Sequence, residues 1–102
     1  MAEVNLAVEI LFEGNGTDEQ FEAFIEEIAV QLDAIGREHN LAARIADRTA
    51  EIDASFEADT FEAAVAAFLG DVRTALHAVG CGTPDWPTFR PTRRIVRELQ
   101  DA

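Results

Sequence analysis

Chemistry in this sequence would have to start from two histidines, one cysteine and one serine. His39 and His77 fall in no metal-ligand spacing such as H-x-x-x-H, and no C-x-x-C accompanies them. Cys81 stands between Gly80 and Gly82, just past the expected C-terminal end of a helix. The negative end of a helix dipole opposes a thiolate. Cys81 therefore reads as a small residue in a tight loop, even with His77 four positions before it. Ser55 has no histidine near it in sequence, so no Ser–His nucleophile is announced.

Carboxylates are abundant but not arranged for a metal. No EF-hand spacing occurs among them. The row Glu51, Asp53, Ser55 and Glu57 places three carboxylates on one side of an expected strand. Paired carboxylates can do acid–base work, yet alternation with Ile52, Ala54 and Phe56 reads more simply as the exposed side of a sheet. The turn Gly14-Asn15-Gly16 sits where a phosphate-binding loop would lie. It lacks the third glycine and the lysine of the nucleotide motifs, and Asp18 and Glu19 put negative charge where a phosphate would rest. An ordinary strand-to-helix turn is the expectation, with no cofactor, no metal and no catalytic residue.

The remaining group is aromatic and basic. Trp86 and Phe89 lie in a proline-punctuated stretch beside Arg90, Arg93, Arg94 and Arg97. Aromatics with arginines make protein interaction hot spots and single-strand stacking platforms. The bland alternative is that Trp86 and Phe89 fold back to cap the core. These six residues are the candidate partner-binding set.

The elements that must position them follow from periodicity. Val4, Leu6, Val8, Ile10 and Phe12 alternate with Asn5, Ala7, Glu9 and Leu11, which predicts a strand with one buried face. Thr17 and Gln20 form a T-x-x-Q capping box opening a helix whose stripe is Phe21, Phe24, Ile25, Ile28, Leu32 and Ile35, with Gly36 as terminator. Residues 41–57 alternate twice and predict two strands turning near Asp47-Arg48, or one long bulged strand. Asp59 and Glu62 suggest a second capping box. The stripe behind it is Phe61, Val65, Phe68, Leu69, Val72, Leu76 and Val79, ending at Gly80. Gly70 inside that helix suggests close helix–sheet packing. Residues 92–99 fit an edge strand slightly better than a short helix. The expected fold is α+β: a ferredoxin-like β-α-β-β-α(-β) plait with two helices covering one face of an antiparallel-containing sheet.

The run from Thr60 through Phe68-Leu69-Gly70 to Gly80, followed by Pro84-Asp85-Trp86-Pro87-Thr88-Phe89, resembles small uncharacterised proteins of actinobacteria and their phages. The resemblance covers most of the chain by pattern and rests on no catalytic signature. It implies the fold and a GC-rich source, and it assigns no activity to any position.

Length and charge bound the rest. At 102 residues, 1–102 reads as a single α+β domain, with 81–102 a Pro-containing connector and basic C-terminal segment. There is no long apolar run and no secretory signal, and a lone cysteine excludes an internal disulfide, so the default setting is cytoplasmic. Every base is arginine, and the net charge is −12. Residues 1–72 hold seventeen acids against three arginines, a net of −14, whereas residues 73–102 hold three acids against five arginines, a net of +2. A net negative chain repels phosphate backbones and anionic lipid. The expectation is thus a non-enzymatic protein–protein interaction or self-assembly module, an adaptor or inhibitor, with no membrane partner. The alternative is a nucleic-acid-directed protein, either an acidic DNA mimic or a strand binder acting through its arginine segment.

Overall fold

The computed structural model of the protein describes residues 2–36, 38–79 and 89–99, with the backbone alone at Ala2 and Arg90. The elements run β1 (Ala2–Glu13), α1 (Asp18–Ala34), β2 (His39–Arg44), β3 (Thr49–Ala58), α2 (Phe61–Ala78) and β4 (Arg90–Glu98). The strands form one sheet in the order β2-β3-β1-β4, and every neighbouring pair is antiparallel. The α+β expectation of two helices and an antiparallel-containing sheet is met. The ambiguous stretch 92–99 is edge strand as far as Glu98, not helix.

Alternation decides which side of the sheet is buried. Val4, Leu6, Val8, Ile10 and Phe12 of β1 join Ala50, Ile52, Ala54 and Phe56 of β3 in one core. Phe21, Ile25, Ile28 and Leu32 of α1 complete it, with Ala64, Phe68, Val72, Ala75 and Leu76 of α2. Side chains directly opposite across an antiparallel pair share a face, so the register Val8↔Ile52 and Val8↔Val96 carries the apolar rows from strand to strand. Both helices lie on this side.

Caps set where the helices begin. Thr17 Oγ1 accepts from the Gln20 amide at 3.2 Å, and Gln20 Oε1 accepts from the Thr17 amide at 2.9 Å, so the expected capping box is present. Gly36, at φ +84°, ends α1 in the left-handed conformation that a glycine enters without penalty. The second helix starts one residue later than expected. Thr60, not Asp59, is its N-cap, accepting from the Ala63 amide at 3.0 Å. The buried stripe also differs at its start, where Ala64 is buried and Phe61 is exposed. Gly70 is not at a close contact either, since a Cβ there would meet nothing within 4 Å.

The β2–β3 turn is held by Arg48, which takes a left-handed φ of 56°. Its carbonyl accepts from the Phe12 amide of β1 at 2.8 Å. Its guanidinium donates to the carbonyls of Ile45 at 2.5 Å and Gly16 at 3.2 Å, and pairs with Asp18 at 2.6 Å. It also lies over the rings of Phe21 and Phe89, at 5.3 and 5.8 Å from their centroids. Those rings belong to an edge-to-face cluster with Phe12 and Phe24, in which Phe21 and Phe89 are 5.0 Å apart and Phe12 and Phe24 5.2 Å apart. One arginine thus ties together the turn, the start of α1 and the residue that leads into β4.

Candidate interaction surface

The other side of the sheet carries no helix, and among the described residues none packs over it. Register places its side chains in cross-strand rows. One row reads Asn40, Asp53, Ala7, Arg97; the next Ala42, Glu51, Glu9, Ile95; the next Arg44, Thr49, Leu11, Arg93. Glu57 and Glu3 extend the two central strands at one end. The inner strands β1 and β3 therefore present a column of carboxylates, and the edge strand β4 presents arginines.

Polar contacts stiffen this grid. Arg97 Nη2 donates to Glu51 Oε2 at 3.0 Å, reaching from β4 across β1 to β3. The bridge passes over Ala7, which is 0 % exposed although it faces away from the core. A larger side chain there would stand in its path. Asn40 Nδ2 donates to Asp53 Oδ1 at 2.9 Å, and the Ser55 hydroxyl donates to Asn5 Oδ1. These groups keep enough exposure that each bond contributes little to stability; their effect is to fix the directions of the charges. Beside them a shallow cavity of about 170 Å³ opens over β2 and β3, lined by Glu9, Ala42, Ala43, Arg44, Thr49, Ala50 and Glu51. Its width comes from Ala42, a small residue in a row of long ones.

Among the described residues, the candidates do not form one cluster. Arg93 and Arg97 stand on the uncovered face, opposite Leu11 and Ala7. Arg94 faces the other way, opposite the core residue Ile10, and is exposed. Arg90 pairs with Glu13 at the start of β4. Phe89 is 2 % exposed and lies inside the phenylalanine cluster. It is a core residue, and the fold-back alternative describes it. Trp86 and Cys81 lie outside the described residues. The pairing of β1 with β4 shifts register between Leu11 and Phe12, and Thr92 Oγ1 donates to the Leu11 carbonyl there at 3.3 Å.

Three participants were not singled out by sequence reasoning. Ile95 is 42 % exposed and is the one large apolar side chain of the face with that much exposure among the described residues. Ala7 and Ala42 matter because they are small, and smallness has no signal until the register is known. The carboxylate row of β3 was identified, and it lies on the uncovered face as read.

Elsewhere the side chains serve the fold. His39, 2 % exposed at its side chain, lies with Nε2 3.6 Å from Asp71 Oδ2, joining β2 to α2. Among the described residues no group of three histidines, cysteines or carboxylates could hold a metal ion, and no helix is long and apolar enough to cross a membrane. No protein-family model matches the chain, and no curated protein matches its sequence.

Proposed function

We propose that this protein is a non-enzymatic protein-interaction module that works by burying its uncovered sheet face. The partner surface it fits has the reverse charge pattern at β3 and β4, with carboxylates opposite β4 and arginines opposite β3. The single observation that supports this reading is the segregation of charge by strand on one flat face: Arg93 and Arg97 at the edge, and Glu9, Glu51, Asp53 and Glu57 inside. A chain with dispersed surface charge would show no such columns. Electrostatic complementarity of this kind sets partner choice and encounter rate. An adaptor or inhibitor needs no more than this.

Two observations favour a protein over a nucleic acid. Arg97 is already bonded to Glu51, and Phe89, one of the two aromatic rings proposed for stacking on bases, is inside the core. We also propose that the chain is a ferredoxin-like plait, two interleaved β-α-β halves; the order β2-β3-β1-β4 supports it. The test is capture from the host's lysate with immobilised wild type, Arg93→Glu/Arg97→Glu, and an Arg73→Glu control on α2. A stoichiometric protein lost by the sheet variant and kept by the control supports the reading. A partner kept by the sheet variant, or one released by nuclease, overturns it.

A further inference from the structure

We infer that the partner is a second copy of this chain, packed sheet face against sheet face about a two-fold axis running along β1. The inference rests on the uncovered face being the interaction surface. The face carries both halves of a complementary pattern, and the question is whether one symmetry operation exchanges them. An axis across the strands lays β4 on β4, arginine on arginine. An axis midway between β1 and β3 lays each carboxylate strand on the other. An axis along β1 lays β4 of each copy over β3 of the other, because β3 and β4 are the two neighbours of β1.

The rows then meet in a defined way. Arg97 of each copy comes over Asp53 of the other, and Ile95 comes over Glu51, beside the cavity whose open side is Ala42. An exposed apolar side chain beside a cavity of about 170 Å³, flanked by two arginines, has the anatomy of an interface anchor with a charged rim. Arg93 and Arg97 of the incoming strand bracket Glu51 from the rows on either side. Along the axis itself, Leu11 meets Leu11, compatible with close approach at the usual ~10 Å between stacked sheets, while Ala7 lies beneath the Arg97–Glu51 bridge of its own copy. Glu9 meets Glu9 and, at the end of the strand, Glu3 meets Glu3, the two like-charge contacts along the axis. The operation is closed, so assembly stops at two. Three strands of each copy overlap, β3, β1 and β4, and at roughly 4.8 Å spacing and about 25 Å length they give a plan area near 360 Å² per copy. That is below the standard size of specific interfaces, so the dimer is weak and salt-sensitive.

Sedimentation velocity on the full chain tests this, from micromolar to near-millimolar protein at low and high salt, with each variant's fold verified by circular dichroism. The expected result is a monomer–dimer equilibrium that weakens with salt. Ile95→Glu abolishes it, and Glu9→Gln tightens it by about 3- to 10-fold, the effect of removing one like-charge contact. A wild type that stays monomeric throughout overturns the self-pairing, while the sheet-face reading then stands or falls on the lysate capture. A dimer indifferent to Ile95→Glu but dissolved by Phe61→Glu on α2 or Val30→Glu on α1 overturns both. Trimers or open polymers overturn the two-fold, and so does a Glu9→Gln variant that associates no better than wild type.

Discussion

Replacing Arg48 separates what its backbone does from what its side chain does. Both Arg48→Ala and Arg48→Gly remove two hydrogen bonds to the carbonyls of Ile45 and Gly16, the pair with Asp18, and the stacking over Phe21 and Phe89. The side chain of Asp18 is 73 % exposed, so that ion pair contributes ~0–1 kcal/mol. The half-buried hydrogen bonds contribute about 0.5–1 kcal/mol each, and the cation–ring contacts about 0.5–1 kcal/mol together at this exposure. The loss for Arg48→Ala is therefore about 1.5–4 kcal/mol, centred on about 2–3 kcal/mol. Arg48→Gly loses the same contacts but relieves the left-handed φ of 56°, a relief of about 1 kcal/mol. In a domain of this size about 1 kcal/mol shifts Tm by roughly 4–8 °C. Thermal unfolding followed by circular dichroism should show Arg48→Ala lowered by about 10–20 °C, with Arg48→Gly between it and wild type. Amide exchange at the start of β4 should quicken in both, because Phe89 loses its cover. An Arg48→Ala variant as stable as wild type would refute the role given to the side chain. Equal stability of the two variants would refute the role given to the backbone.

Three further outcomes concern the helices and the core. Gly70→Ala should stabilise the protein by about 1 kcal/mol in urea unfolding, since the position is helical and a Cβ meets nothing there; a neutral or negative effect would refute the open surroundings of Gly70. Thr60→Ala should cost about 1 kcal/mol and Asp59→Ala much less, because the hydroxyl of Thr60 caps α2; the opposite order would put the cap back at Asp59. Phe89→Ala should cost about 3–5 kcal/mol, as loss of a buried ring does, and a loss under 1 kcal/mol would place that ring at the surface.

Local pattern carried the elements well. The alternation from Val4 to Phe12 gave β1 and its buried face, and Thr17 with Gln20 gave the start of α1. The turn near Arg48 was found although no glycine marks it. What failed was whatever depends on rotation about a helix axis by one position. Asp59 and Thr60 are both good cap residues, and separately the apolar spacing put Phe61 on the inner stripe where Ala64 is buried instead. Gly70 looked like a contact point because a glycine inside a helix is costly, yet it lies on the exposed side. The surface was less legible than the core. That Arg93, Ile95 and Arg97 share one side follows from alternation within β4. That Arg97 meets Glu51, or that Ala7 matters, follows only from β4 pairing with β1, a contact between residues far apart in the chain. Phe89 was the hardest case, because an aromatic beside prolines and arginines has the composition of a binding site and of a core plug alike.

The central claim, that β4 of one copy lies over β3 of another, is tested most directly by exchanging charges between those strands. Arg93→Glu/Arg97→Glu gives a face that is acidic on both strands, and Glu51→Arg/Asp53→Arg gives one that is basic on both. Each variant alone should be monomeric in sedimentation velocity, since its own two-fold places like charges together. Mixed at equal concentration, they should form a heterodimer at least as tight as the wild-type dimer, because both β4–β3 contacts are then restored with opposite charges. A mixture no more associated than its separate components would contradict the account.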